Sequence, residues 1–351
     1  MKTKLPDIGK ISPEVFEELI YPRLGRKRDS VLVPPQNGVD VGIVEIGGQA
    51  VAMTTDPVFI VPEYGYERAA WFAIHILTSD VVTSGLPPTY LSIDLNLPME
   101  IDENQLEVMW NVMHEQCEEL GMTVICGHTA RYENCHFPMV GGATVMAVGP
   151  KDAYVTPKFA RAGDHIVITK GPAIESSGIF TAMFPEKIVS EFGQSFADKA
   201  QDLFYQMSVV EDAMTAVSVG VRENGVTAMH DATECGIWGG VYELAQASGL
   251  GARLNKDEIV VEEGVLEISK LFGIDDPYAA ISEGTLIISC KSHKSEEVVK
   301  VLQAKGIPAS VVGELTAPES GIVVIEGGQE KPFQHPRVDP FWNAFYGALG
   351  A

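Results

Sequence analysis

Apolar positions along the chain switch between a two-residue and a three-to-four-residue period, and these switches predict alternating strands and helices. Ser12 followed by Pro13 predicts a capped short helix over Glu14 to Ile20, because serine accepts from free first-turn amides and proline tolerates the first helical position. Val39 to Ile46 and Gln49 to Thr55 flank Gly47-Gly48, the two-residue signal of a hairpin. Tyr66 to Ser84 has helical spacing and stops at Gly85, with Pro87-Pro88 beyond, before a strand over Tyr90 to Leu97. Asp102 with Gln105 three residues on predicts a capping box opening a helix to Leu120, closed by Gly121. Met122 to Cys126 and Met139 to Val148 supply two more strands. The first half thus reads β-β-α-β-α-β-β: helices on one face of a largely antiparallel sheet, with the other face open to a second copy.

Periodicity lapses between Pro150 and Gly163, which predicts a linker and a boundary near residue 155. Beyond it the pattern predicts a strand at His165 to Thr169, a helical region over Glu175 to Gly220 broken at Pro185 and Gly193, and a strand at Val226 to His230. Helices at Trp238 to Ala247 and Val265 to Phe272 follow, then a strand at Thr285 to Cys290, a helix at Ser295 to Ala304, and strands at Ser310 to Leu315 and Ile322 to Ile325. The fold class is therefore α+β in two domains: an arm at 1–30, an N-terminal domain at 31–155 and a C-terminal domain at 156–351.

Composition narrows the class. The chain has 351 residues, enough for two cores, and 46% hydrophobic content describes an ordinary globular protein. No apolar run reaches the roughly 18 residues that cross a bilayer, and the lysines at the start precede no apolar segment, so a cytoplasmic protein without a membrane partner is expected. Five widely spaced cysteines without a CxxC pair predict reduced thiols. A formal charge of −23 repels phosphate backbones, so no nucleic-acid partner is expected. The one dense basic run, Arg23, Arg26, Lys27 and Arg28, reads as a solvated loop before the first strand or as a contact for a phosphorylated ligand.

Neither GxxxxGK[ST] nor a strand-helix GxGxxG occurs. Three aspartates instead stand among small residues at the ends of predicted apolar strands: Gly38-Val39-Asp40-Val41-Gly42, Thr54-Thr55-Asp56-Pro57 and Thr78-Ser79-Asp80-Val81. One such aspartate is ordinarily a turn residue or a helix N-cap. Three in succession point to a compensating cation, and magnesium suits carboxylate oxygens that also face phosphates. Met229-His230-Asp231-Ala232-Thr233-Glu234-Cys235-Gly236 places another polar cluster after a strand and before a glycine-rich helix start, where backbone amides favour an anion.

The order GVDVGIV, TTDP, TSDVVTSGLPP, CGHT, GDHIVITKGP, HDATECGIWGG and ISEGTLIIS resembles the AIR synthase (aminoimidazole ribonucleotide synthase, PurM-like) superfamily from about residue 30 to 330. The resemblance is closest to its hydrogenase-maturation carbamoyl dehydratase branch, through HDATECGIWGGVYELAQASG and GIDDPYAAISEGTLIIS. It implies a homodimer whose N-terminal ferredoxin-like sheets join into a barrel, a C-terminal α/β sandwich domain, and ATP in the cleft between domains. By the same resemblance Asp40, Asp56 and Asp80 bind magnesium and the triphosphate, with Thr55 and Thr129 as further cofactor contacts. Asp231, Thr233, Glu234 and His128 then face the reacting phosphate or a small-molecule acceptor.

The sequence also departs from that family. Gly127-His128-Thr129 stands where relatives carry an acidic residue before the threonine, and imidazole is a poor magnesium ligand. The carbamoyl dehydratase works on a C-terminal cysteine, whereas the last cysteine here is Cys290; no cysteine precedes Cys117, which disfavours the selenophosphate branch. Where the kinase branch shows paired aspartates, Val39-Asp40-Val41 has one. An ATP-dependent enzyme acting on an oxygen of a separate acceptor is expected; a non-catalytic nucleotide-binding scaffold is the alternative. Cys126, His128, Cys135 and His136 have zinc-type donors but no recognised spacing, and read as structural or incidental. Met113, His114, Trp71 and Trp110 read as packing residues.

Overall fold

The computed structural model describes residue 11 and residues 13–350. Ser12, expected to cap the arm helix, lies outside the described residues. The arm itself runs as α1 (Pro13–Val15) into a π-helical turn at Phe16–Ile20 and a 3-10 turn at Tyr21–Arg23. Arg23 of the basic run closes this arm by donating to the carbonyls of Glu18 and Leu19.

The first sheet is built from β1 (Val31–Val33), β2 (Gly42–Ile46), β3 (Gln49–Phe59), β4 (Pro88–Leu97), β5 (Thr123–Arg131) and β6 (Met139–Pro150), in the order β1-β2-β3-β6-β4-β5. Every pairing is antiparallel except β4 with β5. The β2–β3 turn needs both of its glycines, at φ of 58° and 83°, because two consecutive positive φ angles match the strand twist and penalise any side chain. Helices α2 (Tyr66–Val82) and α3 (Glu103–Glu119) cover one face. α2 buries Phe72, Ile74, Leu77 and Val81 against β3 and β6. The capping box opens α3 as expected: the Gln105 amide donates to Asp102 at 2.8 Å and the Asp102 amide to Gln105 at 3.0 Å, an arrangement worth about 1 kcal/mol. Trp110 and His114 do not pack in the core. They stand exposed on the outer side of α3, where His114 meets Glu118.

The second half contributes β7 (His165–Thr169), α4 (Ile174–Met183), α5 (Pro185–Phe192), α6 (Gln194–Ala200), α7 (Val210–Val217), β8 (Val226–Asp231), α8 (Gly236–Ser248), β9 (Gly251–Asn255), α9 (Val265–Leu271), β10 (Leu286–Cys290), α10 (Ser295–Ala304), β11 (Ala309–Thr316), β12 (Ile322–Glu326), β13 (Gln329–Pro332) and α11 (Pro340–Ala348). Its seven strands run β13-β12-β9-β11-β7-β10-β8. β8 and β10 are buried along their whole length, so neither alternates between core and solvent, and the polar end of β8, His230 and Asp231, is buried with the rest. The expected helical region divides at Pro185 and Gly193 into α4, α5 and α6, as those breakers dictate.

Four elements go beyond the expected set. β1 has three residues, too few to show a period. β9 and β13 (GARLN and QEKP) are polar pieces that become strands only by pairing with β11 and β12. α11 is held by Phe341, buried against Phe180 and Phe345. Two predicted strands also run on further than the periodicity implies. β3 continues through Asp56, paired with Ala143, and β5 continues through Gly127 to Arg131 beside β4. Among the described residues no helix is long and apolar enough to cross a membrane.

Candidate active site

The carboxylates converge where the two halves of the chain meet. Asp40 lies in the loop before β2, Asp56 inside β3, Asp80 in the last turn of α2, and Asp231 at the end of β8. Asp80 thus belongs to a helix and Asp56 to a strand interior; neither is a strand-end residue. The strand alternation that brings Asp56 to this face brings Thr54 with it, and the Thr54 hydroxyl donates to Asp80 at 2.8 Å. Thr55 consequently points to the opposite, open face, where its hydroxyl pairs with that of Thr144. Thr54, rather than the expected Thr55, stands beside the acidic cluster.

His230 joins the halves. Its Nδ1 lies 2.8 Å from Asp40 and its Nε2 2.7 Å from Glu243 of α8. Burial opposes a charge on this imidazole, but the two carboxylates outweigh it and raise its pKa well above the ordinary value. Both nitrogens then act as donors, so His230 serves as an internal cation. Asp40, His230 and Asp231 are the one group of potential metal-ligating side chains brought within mutual reach among the described residues. Gly38 permits this approach. At φ 71° it lies against the Glu243 carbonyl, where an added Cβ would sit 2.5 Å from the oxygen.

The loop before β10 supplies further acid groups. Glu283 is buried, and its amide donates to Glu175 of α4 at 3.1 Å. Ser282 fixes this loop: its amide donates to the Ala232 carbonyl, its hydroxyl accepts from Ile174, and the Ala232 amide returns to Thr285. Desolvation, followed by Asp231 and Glu175, pushes the Glu283 pKa well up. Desolvation and then Asp231, Asp56 and Asp40 do the same to Asp80. Burial and mutual repulsion, which raise these acids, would both be relieved by a bound cation. With both His230 nitrogens committed to Asp40 and Glu243, the remaining ligand atoms are carboxylate and hydroxyl oxygens, a set that fits magnesium.

Thr233 and Glu234 follow Asp231 in the turn leading to α8. This turn is sharp: the Thr233 amide bonds the Asp231 carbonyl, while Cys235 and Gly236 both take left-handed backbone at φ 64° and 56°. His128 and Thr129 do not join the cluster. They sit on edge strand β5, with β6 and β4 between them and β3, roughly 14 Å across the sheet at ordinary strand spacing. There His128 bonds the Tyr132 hydroxyl at 2.9 Å. Cys126 donates to Ser92 nearby, and no Cys/His group within ligating reach forms around it among the described residues.

His230, Glu243, Glu175, Glu283 and Thr54 were not among the expected site residues. His230 and Glu283 lie inside the motifs that carried the family resemblance, so their signal was present. The fold alone brings Glu243 and Glu175 to His230 and Glu283.

Both halves match the domains described as AIR synthase related protein, the N-terminal domain over residues 38–155 and the C-terminal domain over 161–326. The carbamoyl dehydratase HypE of Bradyrhizobium diazoefficiens is 24% identical over 295 residues, covering 82% of this chain and 80% of its own. The selenide, water dikinase of Methanocaldococcus jannaschii is 25% identical over 303 residues, with 82% and 83% covered. Among solved structures, hydrogenase maturation protein HypE in complex with ATP superimposes with a TM-score of 0.62 at 21% identity, over 94% of this chain and 97% of that one.

Proposed function

Because the chain belongs to the AIR synthase related proteins, we propose that it is a magnesium- and ATP-dependent enzyme that phosphorylates or otherwise activates an oxygen of a small-molecule or carbamoyl-type acceptor. The observation that carries this reading is the cluster of Asp40, Asp56, Asp80, Asp231 and Glu283 where the two halves meet, with the His230 imidazole bonded to Asp40 and the Thr54 hydroxyl to Asp80. Asp40, Asp56 and Asp80 would hold the magnesium, with Thr54 orienting Asp80. Magnesium bound there would neutralise the triphosphate and the charge that develops on the transferred group.

The chain's own residues supply position. Asp231, Thr233 and Glu234 stand at the N-terminal turn of α8, where a carboxylate can accept the acceptor hydroxyl's proton and turn amides favour the reacting phosphate. His230 fixes the Asp40 carboxylate and tethers it to α8 through Glu243. The relatives support the nucleotide: a HypE structure holds ATP, and the dikinase is named for phosphoryl chemistry.

Homodimerisation belongs to the same proposal. β5 is exposed along nearly its whole length and carries Val124 and Ile125 outward, an apolar edge that a second copy would cover. His128 and Thr129 would then reach a nucleotide only from the partner copy's side. The scaffold alternative retains one motive, His128 in place of an acidic residue, and turnover distinguishes the two.

The test is calorimetric titration of magnesium-ATP into the wild type, Asp56→Asn and Asp80→Asn, each checked for folding. Binding by the wild type that is lost in both variants supports the reading and opens an acceptor screen for ADP or phosphate release. No binding by the wild type removes it, and binding without stimulated release by any acceptor leaves the scaffold.

A further inference from the structure

The C-terminal segment beyond residue 332 lies outside both matched domains, yet it reaches the acidic site. Asp339 makes the hydrogen-bonded link. Asp339 is 1% exposed, and its carboxylate accepts from the Cys235 amide at 2.7 Å and from the Phe341 amide at 2.8 Å, capping α11. The Ile281 amide also faces this carboxylate. Two of these three amides belong to the loops that carry the site: Cys235 ends the turn that starts at Asp231, and Ile281 is two residues before Glu283.

We propose that Asp339 is a positioning residue that ties these two loops together and so sets the spacing of Asp231 and Glu283 across the cleft; this rests on the function proposed above. The physical argument has two parts. Cys235 takes a left-handed conformation that is strained for a non-glycine residue and persists only where its surroundings hold it. A buried carboxylate accepting its amide supplies that hold, because charge-assisted hydrogen bonds are about twice as strong as neutral ones. Second, the carboxylate comes from a part of the chain more than 100 residues downstream of the turn. Its own position is fixed by Phe341, which packs against Phe180 of α4 and so anchors the strap to the domain core.

Asp339→Asn keeps the shape but loses the charge and one acceptor. Tyr346→Ala loosens the exposed end of α11 through its contacts with Trp342 and Phe345 and leaves the Phe341 anchor and Asp339 in place. Amide hydrogen exchange on the full chain without ligand is the primary measurement. The expected result is exchange faster by about tenfold at 232–236 and 280–284 in Asp339→Asn, with β7 unchanged and Tyr346→Ala affecting α11 alone. Magnesium-ATP affinity should fall about tenfold in Asp339→Asn and stay near wild type in Tyr346→Ala. Equal effects of the two variants on both loops, or unchanged exchange at either loop in Asp339→Asn, overturn the proposal. If the wild type fails to bind magnesium-ATP, the proposed function falls while the exchange result still decides the role of Asp339.

Discussion

Acidification should destabilise the folded chain through one imidazole, and the size of the effect can be worked out. His75 of α2 is buried, stacked on Trp71 at 4.0 Å, with Nδ1 2.8 Å from the Ser208 hydroxyl and Nε2 2.9 Å from Gln116. Burial lowers its pKa to about 4, against the opposing hydrogen bond from Gln116 and with help from the Lys170 charge. The ordinary histidine value is about 6.5, so the unfolded chain takes up this proton first as pH falls. The stability it contributes is complete above pH 6.5 and is lost as pH drops toward 4. Linkage gives a loss of about 2 kcal/mol at pH 5 and about 3 kcal/mol at pH 4. Other groups titrate in the same window, and the crowded acids Asp80 and Glu283 have the opposite sign, because their raised pKa values favour the folded state on protonation. The measurement is therefore a difference: urea unfolding of wild type and His75→Gln at pH 7.5, 6, 5 and 4.5. The gap between them should close by about 2 kcal/mol between pH 7.5 and 5 as the wild type loses its advantage. Curves that stay parallel over that range refute the argument.

Three other substitutions test separate contacts. Asp80→Asn removes a carboxyl group whose charge is opposed first by burial and then by its acidic neighbours, so it should raise the urea midpoint by an equivalent of about 1 kcal/mol while removing magnesium-ATP binding; a lowered midpoint contradicts the electrostatic account. Gly38→Ala forces a Cβ toward the Glu243 carbonyl and should cost about 1–3 kcal/mol. It should also lower the His230 pKa by withdrawing Asp40, readable by NMR titration of the ring protons. Lys170→Met removes an ammonium that bonds Asp212 at 2.9 Å, the Ser208 carbonyl at 2.6 Å and the Gly284 carbonyl at 2.9 Å. The stranded Asp212 should make it cost about 3–5 kcal/mol in chemical unfolding, and a cost under about 1 kcal/mol would mean Asp212 finds another partner.

Local chemistry made much of the fold legible in the sequence. The Gly47-Gly48 hairpin, the Asp102–Gln105 capping box and the breaks at Pro185 and Gly193 are each set by a few neighbouring residues, and each appears where its residues dictate. The two-domain α+β class followed from the order of such elements and from motifs spread along the chain. Tertiary structure decided what depends on distant partners. β9 and β13 are strands because β11 and β12 offer them hydrogen bonds, and β5 extends past Cys126 because β4 runs beside it. The site divides along the same line. Asp40, Asp56, Asp80 and Asp231 were visible as carboxylates among small residues, which is a local signature. That His230 bridges Asp40 to Glu243, that Thr54 rather than Thr55 faces Asp80, and that Asp339 reaches Cys235 depend on which face a strand turns inward and which helix lies across it. Those choices come from packing segments up to 190 residues apart, a separation that no local pattern encodes.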